Sequence, residues 1–260
     1  MRSFLAALQF LTVLPVPGIH LAHDADWGRA TAWYPAVGLV LGAILAGLDW
    51  GLRWLLPGGV AAAILLVAWV ALSGALHIDG FVDCCDALLP PVSRQRRLEI
   101  LNDVHAGAFG IAGLVQLLLT KYTVLLALPG GAGSDPFRLA GLLLIPTLAR
   151  WVMGGAVLLY PYARPGPGLG QKARTGAGRR QLAAATATAL LVTGLAWGLG
   201  LGWYALVILI VTLVTALAVA GWIRSRIGGL TGDAYGAICE LGELGGLIAL
   251  VALAHQGVLP

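Results

Sequence analysis

Long apolar stretches alternate with short polar ones along almost the whole chain. Seven stretches approach the roughly 20 residues of a membrane-spanning helix; they cover residues 33–56, 60–78, 110–128, 139–160, 182–201, 203–223 and 236–254. An apolar start before Pro15 and Pro17 is too short to span, and it predicts an interfacial helix. The pattern predicts an all-α fold: a polytopic membrane helical bundle of about seven transmembrane helices plus an N-terminal interfacial helix, in one integral membrane domain, residues 1–260.

The composition supports a membrane location for the chain. Hydrophobic residues make up 59% of the sequence and charged residues 11%, whereas soluble domains carry about 25% charged residues. The net charge of +4 would suggest nucleic acid as a partner of a soluble chain, but in a membrane protein basic residues chiefly set orientation. We therefore predict a lipid bilayer and no nucleic acid among the partners, and the composition leaves oligomer formation open.

The distribution of basic residues predicts which loops share a side of the membrane. Most Lys and Arg residues precede the first span or lie in the polar connections 79–109, 161–181 and 224–235: Arg2, Arg29, Arg94, Arg96, Arg97, Arg164, Lys172, Arg174, Arg179, Arg180, Arg224 and Arg226. Positive residues accumulate on the cytoplasmic side of membrane proteins. The N-terminus and the three connections are therefore predicted to be cytoplasmic.

Three carboxylates follow the second apolar stretch directly. Asp79, Asp83 and Asp86 have i, i+4 and i+7 spacing, which on a helix places them within a sector of roughly 60°. Like charges at this spacing repel, and more strongly as water is lost. A hard divalent cation, Mg²⁺ or Mn²⁺, is the counterion that binds several oxygens at once and commonly also holds substrate phosphates. The alternative is a solvated, acidic helix end.

A second polar island opens the last apolar stretch. Thr231 can cap a helix, and Asp233, Glu240 and Glu243 would then share a sector of roughly 80°. Asp233 alone could be a favourable charge at a helix N-terminus. Glu240 and Glu243 lie two to three turns inside the span, where an unpaired carboxylate is costly, so they require a cation, a proton or a basic partner.

Two cations lie inside predicted spans. Lys121 is near the middle of the third span and Arg150 near the middle of the fourth, and intramembrane charges generally face a bundle interior or a polar cavity. Either cation could hold substrate phosphate or form a structural ion pair with Glu240 or Glu243. We expect phosphate binding for Lys121 and ion pairing for Arg150.

A third polar cluster precedes the third span. It contains Arg97, Asp103 and His105, followed by Gly107 and Gly110. Glycines at a helix entry allow phosphate to approach the backbone. The spacing matches neither of the common nucleotide-binding fingerprints, so this cluster alone indicates no particular ligand.

Taken together, these motifs resemble those of the cobalamin synthase family, the adenosylcobinamide-GDP ribazoletransferases. The resemblance covers essentially the whole chain and rests on His77-Ile78-Asp79-Gly80 with the two following aspartates, and on Gly229-Leu230-Thr231-Gly232-Asp233 with the two later glutamates. The chain departs from the family pattern at Val104 and His105, where a hydroxyl residue and an arginine are expected.

The resemblance implies a Mg²⁺-dependent enzyme of the bacterial cytoplasmic (inner) membrane, with its active site on the cytoplasmic side. Its substrates would be adenosylcobinamide-GDP and alpha-ribazole or its 5′-phosphate, and GMP would leave. We expect Asp103, Glu240, Lys121 and Arg150 to be catalytic. Substrate is expected at Arg97, His105, Thr231 and Glu243. The metal is expected at Asp79, Asp83, Asp86 and Asp233.

Two other functions fit parts of the pattern. A phosphotransferase of the CDP-alcohol type, from lipid metabolism, also combines a DGxx run with later acids, but this chain has no Ala-Arg after its Asp79-Gly80 pair. A cation-coupled transporter could use the same acids as an ion site, although no internal repeat supports it.

Overall fold

The computed structural model describes residues 2–16, 24–129, 135–164 and 169–256. Its twelve α-helices in these ranges are α1 Arg2–Leu11, α2 Asp24–Ala30, α3 Tyr34–Leu55, α4 Gly58–Leu72, α5 Leu76–Leu88, α6 Arg94–Ile100, α7 Ala108–Ala127, α8 Pro136–Leu159, α9 Leu169–Arg174, α10 Arg179–Ala196, α11 Tyr204–Ile227 and α12 Gly232–His255. The described residues form no strand, only an isolated bridge between Tyr162 and Leu230. The prediction of an all-α fold is confirmed.

Within the described ranges, six helical segments are long and apolar enough to cross a membrane. They are Trp27–Leu55, which ends with α3, and the segments of α7, α8, α10, α11 and α12. A seventh span results if α4 and α5, which meet at an angle of 89°, are counted as one broken span. The polytopic bundle of six to seven spans therefore agrees with the apolar pattern of the sequence.

The second predicted span, 60–78, is wrong beyond Leu72, where α4 ends. Gly74 and Ala75 follow with φ values of 61° and 56°, in the left-handed region that glycine adopts freely and alanine rarely. The backbone N–H of Val13, just after α1, donates to the Leu72 carbonyl oxygen at 2.9 Å. The break turns the chain, so that the aspartates of α5 follow a different axis from α4.

Helix α8 is the centre of the bundle. It packs against α3, α10, α11 and α12. In its most apolar segment of 18 residues, 72% of the residues are buried within the protein. Helix α1, by contrast, has only 10 residues and packs on the bundle through Ala6, Ala7 and Leu11. Its length and packing agree with the prediction of a short N-terminal helix that does not span.

The three basic connections meet at one end of the bundle. Arg94 Nε donates to the Ile227 carbonyl oxygen at 2.9 Å, which joins α6 to the end of α11. Arg164 Nη2 donates to the Leu101 carbonyl oxygen at 2.6 Å, which joins the connection after α8 to the one after α6. The predicted grouping of these connections on one side therefore agrees with their contacts.

A buried ion pair joins α3 and α8 toward the opposite end. Arg138 donates from Nε and Nη2 to the two carboxylate oxygens of Asp49, at 2.6 and 2.7 Å. Its third nitrogen, Nη1, donates to the carbonyl oxygens of Leu125 and Leu128 at the end of α7. Asp49 and Arg138 are each 4% exposed, so each charge depends on the other.

Replacing Asp49 with Leu should destabilise the protein by about 3–5 kcal/mol, because the variant leaves the Arg138 guanidinium buried without its counter-charge. Unfolding in detergent micelles would measure the loss. The double variant Asp49→Leu/Arg138→Leu is the control, and it should recover much of the stability. Equal stability of the single variant and the wild type would contradict a structural role for this pair.

Candidate active site

Two glycines allow α5 and α12 to touch along their backbones. A Cβ on Gly80 would lie 2.7 Å from the Asp233 carbonyl oxygen, and a Cβ on Gly236 would lie 2.8 Å from the His77 carbonyl oxygen. Neither position can accept a side chain without moving the backbones apart. The approach brings the acidic face of α5 next to the first turn of α12.

This approach assembles an acidic cluster, defined here as Asp79, Asp83 and Asp233. Asp83 experiences repulsion from Asp79 and Asp233, and Asp79 also repels Asp233. Arg164 offsets part of this negative charge: its Nη2 donates to Asp233 Oδ2 at 3.1 Å, and both side chains are 23% exposed. Three of the four predicted metal ligands therefore lie together, and an arginine lies beside them.

The position of Arg164 is set by a short parallel bridge. The Leu230 N–H donates to the Pro161 carbonyl oxygen and the Ala163 N–H donates to the Leu230 carbonyl oxygen, both at 2.8 Å. The sequence marks Arg164 only as one of the basic residues of a loop. Its proximity to Asp233, 69 residues further along the chain, depends on this contact between distant segments, which local patterns do not predict.

Thr231 begins α12 as predicted. Its Oγ1 accepts the Ala234 N–H at 3.3 Å and donates to Asp233 Oδ2 at 3.2 Å. The predicted substrate contact of Thr231 stays a prediction. Its observed contacts instead orient the Asp233 carboxylate toward Arg164.

Asp86, the fourth predicted metal ligand, is engaged elsewhere. Its two carboxylate oxygens accept the backbone N–H groups of Gly107 at 2.7 Å and Gly110 at 2.8 Å. A Cβ on Gly110 would lie 2.2 Å from Asp86 Oδ2, so the glycine is required for this contact. Asp86 thus stabilises the N-terminus of α7, where a carboxylate is favourable.

Arg97, Asp103 and His105 lie apart from the acidic cluster. Arg97 is 4% exposed, and its Nη1 donates to the carbonyl oxygens of Ala87 and Leu88 at the end of α5, where it acts as a cap. Asp103 Oδ1 lies 2.7 Å from His105 Nδ1 on an exposed loop. That hydrogen bond, with one from the His105 backbone, holds the pKa of Asp103 below its usual range.

The four predicted intramembrane charges are connected by ion pairs into one network. Lys121 Nζ lies 2.5 Å from Glu240 Oε2 and 2.5 Å from Glu243 Oε2, and Arg150 donates to Glu243 Oε1. Trp69 Nε1 donates to the same Glu243 oxygen at 3.1 Å. All four charged side chains are at most 3% exposed.

The network contains two cations and two carboxylates, so its charges balance. Pairing of Arg150 with Glu243 agrees with the expected structural pair. Lys121 contacts both glutamates, and its expected role in phosphate binding stays a prediction. Glu240, Glu243, Lys121 and Arg150 therefore lie within the bundle, separate from the acidic cluster.

A cavity of about 300 Å³ opens beside the acidic cluster. Asp79, Asp233 and Arg164 lie on its wall, together with His77 and Tyr235. The His77 ring nitrogens and the Tyr235 hydroxyl are buried without a hydrogen-bond partner among the described residues, and so is Arg164 Nε. A buried polar atom without a partner costs about 1–3 kcal/mol, so these atoms are suited to a polar ligand.

The acidic cluster has the oxygen donors that a hard cation prefers. Among the described residues no three His, Cys, Asp or Glu side chains converge closely enough to hold a metal ion in their present conformations. The charge of the cluster nevertheless fits a divalent cation, since the repulsion on Asp83 from Asp79 and Asp233 is offset only in part, by Arg164 among the described residues. Asp79, Asp83 and Asp233 are the residues that could hold it.

Carboxylates and an arginine beside a cavity in a helical membrane bundle define a membrane-embedded enzyme as the class of protein. The model of the cobalamin-5-phosphate synthase family matches residues 3–251. The chain belongs to this family.

Three curated relatives carry the name adenosylcobinamide-GDP ribazoletransferase. The protein of Geotalea daltonii is 38% identical over 97% of this chain and 98% of its own length. That of Pseudomonas paraeruginosa is 41% identical over 96% and 98%, respectively, and that of Brevibacillus brevis is 33% identical over 96% and 98%. No solved structure matches the chain.

Replacing Lys121 with Met should give an unstable protein, because it leaves Glu240 buried without a counter-charge at a cost of about 3–5 kcal/mol. The double variant Lys121→Met/Glu240→Gln is the matched control, since it leaves the Arg150–Glu243 pair balanced, and it should recover much of the loss. Yield in membranes and thermal unfolding in detergent would measure both. A stable single variant with weakened substrate binding would instead support phosphate binding by Lys121.

Proposed function

We propose that the protein joins alpha-ribazole, or its 5′-phosphate, to adenosylcobinamide-GDP and releases GMP. The observation that carries this proposal is the acidic cluster with Arg164 at the wall of a cavity, in a chain of the cobalamin-5-phosphate synthase family. The relatives' names supply the two substrates. The family match also favours this reaction over lipid phosphotransfer or ion-coupled transport.

The proposed reaction is a displacement at phosphorus. A hydroxyl of the ribazole ribose attacks the phosphorus atom that is bonded to the cobinamide side, and the bond from that phosphorus to the bridging oxygen breaks. GMP leaves with the bridging oxygen, a phosphodiester forms, and the hydroxyl proton passes to a base. Asp79 and Asp233 lie on the cavity wall, where a carboxylate can orient this hydroxyl and accept its proton.

A divalent cation, Mg²⁺ or Mn²⁺, is part of the proposal. Asp79, Asp83 and Asp233 would hold it, and when bound it would neutralise charge on the bridging and leaving oxygens. Arg164 already contacts Asp233 and has Nε free of a partner among the described residues, so it can donate to phosphate oxygens. Asp86 is not part of the proposed metal site. Its carboxylate caps the N-terminus of α7 through Gly107 and Gly110.

The remaining expected site residues receive supporting roles in this proposal. Asp103 and His105 lie on an exposed loop, where they can contact the substrate part that stays outside the cavity. Arg97 caps α5 and Thr231 caps α12, so both position the acidic cluster. The buried network of Lys121, Arg150 and the two glutamates fixes α12 against α7 and α8.

The direct test is GMP release by the purified protein in lipid nanodiscs. We expect GMP to form only when adenosylcobinamide-GDP, ribazole and a divalent cation are all present, and we expect chelation by EDTA to stop the reaction. Release of GMP without ribazole, or full activity in EDTA, would contradict the proposal.

The variant Asp83→Asn should reduce turnover by about a hundredfold or more and raise the Mg²⁺ concentration needed, because it removes one charged oxygen ligand of the proposed metal. The control is Glu99→Gln on α6, whose carboxylate is exposed and paired only with Arg96 among the described residues. That control should stay within about twofold of the wild type. Wild-type turnover and Mg²⁺ dependence in Asp83→Asn would exclude Asp83 as a ligand.

We also propose that the site faces the cytoplasm across a bacterial inner membrane, because the basic connections gather at the end of the bundle that holds it. A cysteine at exposed Gln95 should react with an impermeant maleimide only after cells are permeabilised. A cysteine at exposed Gly58, at the opposite end, should react in intact cells, and the parent protein controls for native cysteines. The reverse labelling pattern would place the site outside.

A further inference from the structure

The cavity beside the acidic cluster has two different parts. One part of its lining is apolar and comes from α1, α5 and α8: Phe10, Leu11, Leu76, Met153 and Val157. Another part is charged, with Asp79, Asp233 and Arg164. A ligand that fits both parts has an apolar body and a polar end that reaches the carboxylates.

Two polar side chains of the cavity lining, His77 and Tyr235, are buried without a hydrogen-bond partner among the described residues. His77 is 2% exposed and Tyr235 is 5% exposed, and neither the imidazole nitrogens nor the phenol oxygen has a hydrogen-bond partner in the described part of the chain. They come from the touching faces of α5 and α12. A ligand in the cavity could therefore receive or donate a small number of hydrogen bonds at fixed positions.

The volume of the cavity suits one of the two substrates of the proposed reaction and excludes the other. About 300 Å³ is at the lower end of the range for small-molecule sites, roughly 300–1,000 Å³. A corrin ring with its side chains and nucleotide greatly exceeds this space. Ribazole is a benzimidazole riboside, so its bicyclic base is of the appropriate class for the cavity.

The side chains that line the cavity favour the base of ribazole over guanine, which is the other base in the reaction. Guanine has an exocyclic oxygen, an amino group and a ring N–H, each of which needs a partner when buried. The benzimidazole base has no exocyclic oxygen or amino group. A wall that is largely apolar, with few unpartnered polar atoms at His77 and Tyr235, therefore favours the benzimidazole.

We propose that this cavity binds the aromatic base of the ribazole acceptor and directs the ribose toward Asp79 and Asp233. This inference rests on the proposed transfer reaction and assigns one of its substrates to a place. The GDP-activated corrinoid then lies outside the cavity, with its diphosphate at Arg164. Each substrate thus has a separate site, and the two sites meet at the acidic cluster.

The test measures ribazole binding directly, by isothermal titration of the full-length protein in nanodiscs without divalent cation or corrinoid. Val157→Phe narrows the apolar part and should weaken ribazole binding by about tenfold or more. Tyr235→Phe keeps the shape and removes one hydroxyl, so it should weaken binding by about two- to tenfold. The control Val67→Phe changes a residue of α4 that is 67% exposed and should leave the affinity unchanged.

In steady-state assays, Val157→Phe and Tyr235→Phe should raise KM for ribazole and leave KM for adenosylcobinamide-GDP within about twofold of the wild type. Folded variants that bind ribazole as the wild type does, or that lose affinity for both substrates equally, would overturn the assignment. Displacement of bound ribazole by GMP in metal-free protein would overturn it as well. Tyr235→Phe decides the question if Val157→Phe does not fold.

Failure of the proposed function gives a different result. If the wild type binds ribazole in the cavity but never releases GMP, the cavity assignment stands and the transfer reaction is wrong. If the wild type releases GMP but the cavity variants leave ribazole binding unchanged, the reaction stands and the cavity assignment is wrong.

Discussion

Charge balance inside the bundle is the constraint on which the arrangement of the core depends. Lys121 and Arg150 with Glu240 and Glu243 place two positive and two negative charges where water is excluded. An isolated charge at that depth costs at least about 2.5 kcal/mol on insertion scales. The helices that carry these charges, α7, α8 and α12, are therefore fixed to one another, and Trp69 joins α4 to the same set.

This constraint reaches the candidate site through α12. Asp233 and Glu240 are seven residues apart on that helix, which is about 10 Å along its axis. Glu240 is held by Lys121 in the interior, while Asp233 is held by Thr231 and Arg164 at the helix start. Because α5 touches α12 at Gly80 and Gly236, the position of Asp79 and Asp83 follows from that of α12.

The sequence was sufficient for the features that depend on local pattern. Apolar length predicted the spans and hence the fold class, and helical spacing predicted that Asp79 and Asp83 share a face. The need to neutralise intramembrane charge predicted that Arg150 would pair with an acid, whereas Lys121, expected at phosphate, contacts both glutamates. Each of these inferences depends only on the residue pattern within a single helix, or on the free-energy cost of an unpaired charge in lipid.

Features that depend on contacts between distant segments could not be predicted in this way. The spacing of Asp86 is the same as that of a metal ligand, yet Gly107 and Gly110 bind its oxygens. Arg97 is a basic residue expected to bind substrate, and it caps the end of α5. Arg164 had no distinguishing pattern, because its contact with Asp233 depends on the bridge between Tyr162 and Leu230.

The interior network and the acidic cluster differ in how far their charges are balanced. In the interior network two cations balance two carboxylates, so no excess negative charge remains there to attract a metal, and the unpartnered polar atoms among its described charged groups are Arg150 Nε and Nη2. The acidic cluster is different, since three carboxylates share a single arginine and lie partly exposed at the end of the bundle. Folding thus leaves a local excess of negative charge that a divalent cation can relieve. Because rigid helices hold these carboxylates before substrate arrives, little reorganisation would be needed in the proposed displacement at phosphorus.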